Sequence, residues 1–220
     1  MGSLKPIRVP GYSEELAEFL GIFLGDGNIR SDYQLAISFN PKTERLYADY
    51  VSRLIDSLFG LKATTRYRFN YGGGELVVNS CGLVEFLYSQ GMTQGDKIKK
   101  GASLPTWIFD NEQARSGAVR GLFDTDGCVY RHSYLVKGVV YQYPQLAFTS
   151  YAAKIREQFA GLLTLSAFHP KEYGNRVYVY SQKEVLRYFQ EIGTHNPAYQ
   201  LRFERFCEDI ELEAAFYATV

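Results

Sequence analysis

The chain has 220 residues, which is enough for one domain or two small ones with a sizeable hydrophobic core. Its apolar fraction of 46% and charged fraction of 22% exclude a disordered chain, and no apolar run approaches the roughly 20 residues that span a bilayer. Lys and Arg total 24 and Asp and Glu total 24, so the formal net charge is zero and a uniformly basic nucleic-acid-binding surface is excluded.

The first half of the chain predicts helices that alternate with paired strands. Ser13, followed by two glutamates, is a typical N-cap and marks the start of the first helix. The period of the apolar residues then switches between that of a strand and that of an amphipathic helix. In chain order we predict a helix over residues 13–27, a strand over 33–39, a helix over 43–59, a hairpin over 62–79 and a helix over 81–88.

The second half repeats this order. Before it, a segment rich in Gly and Lys is the most linker-like stretch of the chain, and its lysines lie either near phosphates or on a solvated loop. We therefore divide the chain into an N-terminal half at 1–94, a linker at 95–110 and a C-terminal half at 111–220. The repeated elements are a motif helix that ends at Gly127, strands over 128–149, a helix over 151–163, a hairpin over 166–181 and a helix over 182–192, followed by a last helix over 197–216.

Two stretches 100 positions apart are copies of one motif. Residues 19–27 read FLGIFLGDG and residues 119–127 read VRGLFDTDG. Small residues recur at every fourth position on one face of each predicted helix, which lets two helices approach backbone to backbone. Gly in a helix costs about 1 kcal/mol relative to Ala, so such stripes indicate a close helix interface. We assign Ala17, Gly21, Gly117 and Gly121 to this interface.

Each stripe ends at an acid, Asp26 in the first copy and Asp126 in the second. Each acid precedes a glycine, Gly27 or Gly127, for which we expect a left-handed C-cap. A carboxylate in the last turn of a helix opposes the helix dipole, and two such carboxylates that converge repel each other. Such a cluster requires cations, and carboxylate and carbonyl oxygens are the ligands that Mg²⁺ prefers.

These motifs resemble the signature of the LAGLIDADG homing endonucleases in their monomeric, two-motif form, and the resemblance covers nearly the whole chain. Leu24 replaces the inner acid of the signature in the first copy, at a position that does not bind metal in the family. The resemblance implies an α+β fold of two pseudo-symmetric αββαββα units. The units pack through their motif helices, and their antiparallel sheets form a saddle that binds double-stranded DNA.

The resemblance also implies an activity, that of a homing endonuclease that hydrolyses one phosphodiester in each DNA strand of a long target site and leaves 3′ overhangs. Two or more Mg²⁺ ions would be held by Asp26, Asp126 and the carbonyls of Gly25 and Thr125, with Mn²⁺ or Ca²⁺ as substitutes for binding. Lys42 matches a lysine that the family places near a scissile phosphate. In the second half the matching position is Tyr151, and Lys154 and Lys137 are the nearby alternatives.

Outward strand positions supply the predicted DNA contacts, because Arg and Lys bond guanine, Gln and Asn bond adenine, and the rest position phosphates. The strand-rich stretches 28–40, 62–80, 128–150 and 165–182 carry net charges of 0, +2, +2 and +1, which indicates a basic face and an acidic back. The predicted DNA-binding residues are Arg30, Arg66, Arg68, Asn70, Arg131, Gln142, Gln145, Lys171 and Arg176.

Two other classes remain open at this point. A non-cleaving relative, either an RNA-splicing cofactor (maturase) that binds host intron RNA or a DNA-binding regulator, would keep the saddle without the cutting. A structural protein would use the glycines for packing alone. Three cysteines without metal-type spacing predict no zinc site. We expect an intracellular protein without a signal peptide, and the lack of splicing-domain sequence favours an intron-encoded or free-standing enzyme over an intein.

Overall fold

The computed structural model describes residues 7–68, 72–97 and 99–218, with side chains as far as residue 208. It confirms the α+β class and the two repeated units, each with a four-stranded antiparallel sheet. The elements of the first unit are α1 (Glu14–Asp26), β1 (Gly27–Ser31), β2 (Gln34–Phe39), α2 (Arg45–Phe59), β3 (Thr64–Arg68), β4 (Gly73–Asn79) and α3 (Cys81–Ser89).

The second unit follows the short helix α4 (Trp107–Asp110). Its elements are α5 (Glu112–Asp126), β5 (Gly127–Val136), β6 (Val139–Thr149), α6 (Ala153–Leu165), β7 (Lys171–Tyr173), β8 (Arg176–Val179), α7 (Gln182–Glu191) and α8 (Pro197–Ala218). Within the described part of the chain, no helix is long and apolar enough to cross a membrane.

The two sheets have the same strand order, β1-β2-β4-β3 and β5-β6-β8-β7. One face of each sheet packs on the helices, because alternate apolar residues of the central strands are buried there, such as Leu35 and Ile37 in β2 and Leu146 and Phe148 in β6. The opposite face of each sheet, called the open face below, carries the residues in between.

The motif helices begin at side-chain caps. Ser13 Oγ accepts a hydrogen bond from the backbone N–H of Leu16 at 3.2 Å, and Asn111 Oδ1 accepts one from the N–H of Ala114 at 2.9 Å. Each cap satisfies a backbone donor that the first turn leaves unpaired. The beginning of each motif helix is thus set locally by the sequence.

The two motif helices, α1 and α5, pack directly against each other along the glycine stripes. A Cβ atom added to Gly21 would lie 2.7 Å from the carbonyl oxygen of Ala118, and one added to Gly121 would lie 2.2 Å from the carbonyl oxygen of Glu18. A Cβ at Gly117 would likewise lie 2.2 Å from the carbonyl oxygen of Glu14. The backbones therefore approach too closely for any side chain at these positions.

Gly27 and Gly127 do not adopt the left-handed conformation that the sequence predicted. Their φ angles are −78° and −87°, with extended ψ angles, because each glycine is also the first residue of a strand. The reason for glycine is steric: a Cβ at Gly27 would lie 2.3 Å from the ring of Phe23, and one at Gly127 would lie 2.3 Å from the carbonyl oxygen of Phe123. The chain therefore passes from helix into strand without a turn.

The last helix, α8, lies along the edge of the second sheet. Tyr199 donates its hydroxyl to the carbonyl oxygen of Gly127 at 2.6 Å, and Arg202 Nη1 donates to that of Val129 at 3.2 Å. Phe203 also stacks on Phe189 of α7, with 3.8 Å between ring centres. This helix covers backbone carbonyls of β5 that would otherwise form an open sheet edge.

Candidate metal centre and nucleic-acid interface

The C-terminal ends of α1 and α5 meet at the junction of the two units. A Cβ atom added to Gly25 would lie 2.1 Å from Thr125 Oγ1, so the last turns of the helices are in contact. Thr125 donates its hydroxyl to the carbonyl oxygen of Leu122 at 2.9 Å. Asp26 and Asp126 are the last residues of the two helices, so both carboxyl groups belong to this junction.

Both carboxyl groups resist ionisation. Burial, followed by the charges of Asp126 and Glu44, raises the pKa of Asp26 from 3.8 to about 7. Burial also raises the pKa of Asp126, which is the more exposed of the two. Because burial and the charge of Asp126 disfavour ionised Asp26, a cation that neutralised both groups would take the place of the bound proton.

Lys97 brings an ammonium group to these acids. Its Nζ donates to the carbonyl oxygens of Leu24 at 2.7 Å and Gly25 at 2.6 Å, where the helix dipole favours a cation. Burial lowers the pKa of Lys97, and the charges of Asp26 and Asp126 offset part of that effect. A cationic group thus already lies against a carbonyl and near both carboxylates. The donor set of carboxylate and carbonyl oxygens fits a hard divalent cation such as Mg²⁺.

A buried ionic network lies along the same helix pair. Arg120 Nε donates to Glu18 Oε2 at 3.0 Å, and its Nη1 donates to the carbonyl oxygen of Ile192 at 2.7 Å. Asp124 accepts a hydrogen bond from the backbone N–H of His195 at 2.7 Å, and burial raises the pKa of Asp124 to about 7. These contacts join the two motif helices to the segment that precedes α8, which indicates a structural role.

A cleft between the first sheet and the junction leads to Asp26. Its lining includes Asn40, Glu44 and Thr125. Lys42 is exposed and lies between two of these residues in sequence, with its backbone N–H bonded to Asn40 Oδ1 at 3.0 Å. The predicted catalytic lysine therefore stands beside the cleft.

The second half offers no equivalent lysine at the matching turn. Tyr151 occupies it and is 78% exposed, and Lys154 is exposed in the first turn of α6. Lys137 lies at the tip of the β5–β6 hairpin, next to the Val136–Val139 pair. That tip is roughly 30 Å along the strands from Gly127, so Lys137 is too distant to act at the junction.

Three predicted DNA-binding arginines lie on the open face of the first sheet. Arg66 pairs in register with Glu75 of the neighbouring strand. Arg30 and Arg68 both form ion pairs with Glu75, which is only 5% exposed. The carboxylate holds these two guanidinium groups in place before any ligand binds. Asn70, predicted beside them, lies outside the described residues.

The open face of the second sheet carries Lys171 and Arg176. Lys171 pairs in register with Tyr178, and the intervening residue Val177 is buried against the helices. Gln145 lies on the same face but is 2% exposed, and its Oε1 accepts a hydrogen bond from the Tyr130 hydroxyl at 2.6 Å. Gln145 therefore supports a tyrosine at the surface instead of presenting its own amide.

Arg131 and Gln142 do not share that face. Side chains alternate between the faces of a strand, so Gln142 and Gln145, three positions apart in one regular strand, point to opposite sides. Arg131 Nη1 donates to Gln142 Oε1 at 2.9 Å, and its guanidinium lies 5.4 Å from the ring centre of Phe206 in α8. Arg131 and Gln142 thus lie on the opposite face of the β5–β6 hairpin from Gln145, and their contact with DNA stays a prediction.

Lys97 and Glu75 are the site residues that sequence reasoning missed. Lys97 belongs to the basic stretch for which the sequence left two interpretations open, a phosphate-binding loop or a solvated one. Only its contact with the end of α1 distinguishes it from the neighbouring lysines. Glu75 gave no signal, since a lone acid on a strand is usually solvated. Within the described ranges, no group of three or more His, Cys, Asp or Glu side chains forms a metal cluster. The candidate centre thus depends on two carboxylates and backbone carbonyls.

Solved structures similar to this chain share one fold. A structure of I-DmoI in complex with DNA and Ca matches with a TM-score of 0.57 and 15% identity, over 86% of this chain and 97% of that chain. The meganuclease I-AabMI bound to uncleaved DNA matches with a TM-score of 0.58 and 10% identity, over 90% and 92%. The N-terminal LAGLIDADG domain of DUF199/WhiA matches with a TM-score of 0.52 and 15% identity, over 84% and 86%. At these identities the likeness shows the fold alone.

Curated relatives match about half of the chain. The replication factor C small subunit of Methanocaldococcus jannaschii is 32% identical over 122 residues, which are 56% of this chain and 6% of that protein. The ribonucleoside-diphosphate reductase NrdEB subunit alpha of Bacillus subtilis is 29% identical over 130 residues, which are 54% of this chain and 12% of that protein. The chain thus spans a small part of each. No protein-family model matches it.

Proposed function

We propose that this chain, which has the fold of the monomeric LAGLIDADG homing endonucleases over most of its length, is a sequence-specific double-strand DNA endonuclease that depends on divalent metal ions. One observation carries the proposal. The junction of α1 and α5 collects Asp26 and Asp126 with the ammonium group of Lys97. A structural role leaves unexplained why two carboxylates oppose two helix dipoles at the same place.

The open faces provide the surface for DNA. Two antiparallel sheets flank the junction, and a two-stranded ribbon fits the major groove of B-DNA. Each sheet would read one half-site of a long target, while the acids stand over the centre. The related structures of I-DmoI and I-AabMI contain DNA, which supports this placement for a chain of the same fold.

The residues of the junction have distinct roles in this proposal. Asp26 and Asp126, with the carbonyl oxygens of Gly25 and Thr125, would hold Mg²⁺ or a similar ion. Such ions lower the pKa of water and stabilise the anionic leaving oxygen of a phosphodiester. One phosphodiester in each strand is hydrolysed, which leaves 3′ overhangs. The I-DmoI structures obtained with Ca and with Mn support a divalent site in this fold.

Two lysines serve the first half of the site. Lys97 is held by the carbonyl oxygens of Leu24 and Gly25 at the end of α1. A metal ion on the Gly25 carbonyl would leave the ammonium group on that of Leu24, so its positive charge would stay where a scissile phosphate would approach. Lys42 is exposed at the turn before α2, beside the cleft, where its ammonium group would meet a phosphate that enters. Both groups stabilise negative charge that develops during hydrolysis.

A second candidate function is DNA or RNA binding without cleavage, as a regulator or as a splicing cofactor that binds host intron RNA. The match to the LAGLIDADG domain of DUF199/WhiA, which has the same fold, motivates this alternative. The presence of an acid at the end of both motif helices favours cutting.

Cleavage of a randomised DNA library in Mg²⁺, compared between the wild type and the Asp26→Asn and Asp126→Asn variants, tests the proposal. We expect the wild type to cut one long site, and each variant to bind that site with similar affinity while losing at least about 100-fold in cleavage rate. Asp49→Asn, an exposed acid on α2, is the matched control and should cut normally.

Cleavage by either junction variant at the wild-type rate would contradict the assigned metal site. Binding of duplex DNA or intron RNA without cutting by the wild type would move the protein to the non-cleaving class. If no nucleic acid is bound, the assignment to nucleic acids is itself wrong.

A further inference from the structure

The two open faces are chemically different. The first carries arginines and small polar residues, and none of its described strand positions is a tyrosine. The second carries Lys171 and Arg176 together with seven tyrosines. By pairing register and ring contacts, these are Tyr130, Tyr134, Tyr141, Tyr143, Tyr173, Tyr178 and Tyr180. The pseudo-symmetry of the backbone is therefore not matched by the surface that faces a ligand.

The second sheet also reaches further. In the first unit β4 pairs along the whole of β2, so the β1–β2 hairpin does not extend beyond the sheet. In the second unit β8 pairs with β6 only from Leu146 to Thr149, and the β5–β6 hairpin continues alone from the Tyr130–Gln145 pair to the Val136–Val139 pair. This two-stranded extension, called the ribbon below, spans roughly 20 Å, which is about six base pairs of B-DNA.

The open side of the ribbon is aromatic and carries no Lys, Arg, Asp or Glu. Tyr134 and Tyr141 stack on each other with 5.3 Å between ring centres, and the ring centre of Tyr143 lies 5.7 Å from that of Tyr134. His132 lies 5.3 Å from Tyr143. Tyr134 and Tyr141 are 42% and 46% exposed, so these rings remain available to a ligand.

We infer that the ribbon reads the outer part of one half-site through the 5-methyl groups of thymines in the major groove, so that the two half-sites of the target differ in length and in base content. This inference rests on the proposed function. A two-stranded ribbon fits the major groove, where apolar side chains recognise the thymine methyl group and Arg recognises guanine. The ribbon presents ring surface and hydroxyl groups, whereas the first sheet presents Arg66 and Arg68. The outer part of one half-site is thus thymine-rich and extends further, and the outer part of the other contains guanine and is shorter.

Replacement of thymine by deoxyuracil tests this recognition, because it removes only the methyl group and keeps the base pair. On the target found by cleavage selection, binding in Ca²⁺ should weaken about fourfold for each methyl group lost under the ribbon, since burial of one such group contributes about 0.8 kcal/mol. The same replacement in the other half-site should have little effect. Arg66→Ala identifies that half-site, because it relaxes base preference there.

Two double variants of the ribbon distinguish the contribution of the tyrosine rings from that of their hydroxyl groups. Tyr134→Ala with Tyr141→Ala should abolish the difference between thymine and deoxyuracil, while Tyr134→Phe with Tyr141→Phe should retain it. Both pairs are exposed at a hairpin, so the fold is not at risk, and circular dichroism checks this.

The outcomes are distinguishable. If the wild type cuts its site but deoxyuracil has no effect, or an equal effect in both half-sites, the inference is overturned and the endonuclease stands. If the tyrosine variants lose affinity for single-stranded but not duplex DNA, the ribbon serves unpaired bases and the inference is again overturned. If no duplex is bound, the proposed function and the inference fail together.

Discussion

Asp26 and Asp126 show how single residues set the chemistry of the junction. Each occupies a position that is unfavourable for a carboxylate, at a helix C-terminus and close to another acid. Burial and the charge of Asp126 raise the pKa of Asp26 to about 7, so the metal-free protein holds a proton there up to near-neutral pH. The unfolded chain, with an ordinary Asp pKa near 3.8, has lost that proton. As pH rises from about 4 to 7, the metal-free fold therefore loses stability relative to the unfolded chain.

Stabilisation of the fold by Mg²⁺ should accordingly increase with pH. At pH 8, with metal at about 100 times its Kd, we expect the thermal midpoint to rise by about 5–10 °C. One pH unit below the pKa, proton competition weakens metal binding about tenfold, so the rise at pH 6 should be about half as large. Differential scanning calorimetry measures the thermal midpoint with and without metal at each pH. The Asp26→Asn, Asp126→Asn double variant should show no metal-dependent shift, and an equal shift of the wild type at both pH values would argue against this site.

The motif helices set the architecture at the scale of elements. Helix α1 and helix α5 touch through glycines on both sides, and the buried Arg120 network ties α1 to α5 and to the segment before α8. Close backbone approach gives extensive van der Waals contact but leaves no room for adjustment. The network places charges where water cannot compensate them. The interface therefore tolerates few substitutions.

Gly121→Ala should destabilise the protein by about 1–3 kcal/mol or more, because its Cβ would lie 2.2 Å from the carbonyl oxygen of Glu18 and 2.9 Å from the amide nitrogen of Ile22. Gly161→Ala is the matched control. Gly161 also lies within a helix, α6, but a Cβ there meets nothing within 4 Å, so this change should stabilise by up to about 1 kcal/mol. Urea unfolding compares them, and similar free energies for both variants would contradict the close helix contact.

Arg120→Met should cost about 3–5 kcal/mol of unfolding free energy, because it leaves Glu18, only 1% exposed, without its guanidinium partner. Adding Glu18→Gln to this variant should recover part of the loss by removing the uncompensated charge. Lys62→Met, which breaks the exposed Lys62–Asp56 pair, should cost under about 1 kcal/mol. The expectation fails if the Arg120 and Lys62 variants are equally stable.

At the scale of the whole molecule, the two halves have the same order of helices and strands, but the groups beside their motif acids differ. Lys97 lies at the end of α1 only. At the end of α5 the carbonyl group of Asp124, which corresponds to that of Leu24, receives a neutral donor, Asn196 Nδ2 at 3.1 Å. Among the described residues, Lys97 thus supplies positive charge to the junction from the α1 side, and in the proposed complex the two DNA strands would meet unequal environments.

A nicked duplex should consequently accumulate during cleavage of a supercoiled plasmid that carries the target. The strand whose scissile phosphate faces Lys97 should be cut first, because a fixed cation there stabilises the developing charge. Lys97→Met should slow this strand by about 100-fold and so reduce or reverse the difference in rate between the strands. Strand-specific labelling measures each rate. Simultaneous cutting of both strands, unaffected by Lys97→Met, would show that the asymmetry has no catalytic consequence.

The sequence by itself determined the repeat, the fold and the two acids, because these depend on local patterns. The caps at Ser13 and Asn111 and the stripes of small residues each lie within one helix. The 100-residue offset relates two helices of similar sequence. From them follow the pairing of α1 and α5 and the placement of Asp26 and Asp126 at one junction. The sequence also implied that Gln142 and Gln145, three positions apart in one strand, point to opposite faces of the sheet. The pairing register was needed to show that Gln145 is the one on the open face.

Only the tertiary structure decided the role of Lys97, the burial of Glu75 and the contrast between the arginine and tyrosine faces. Lys97 is separated by 72 residues in sequence from the Gly25 carbonyl that it contacts, so no local pattern links them. The extended conformation of Gly27 was likewise set by the strand that follows, and the ring of Phe23 leaves no room for a Cβ atom there. Local periodicity specifies which elements form and which side they bury, whereas charge pairing across elements depends on distances that exist only once the chain has folded.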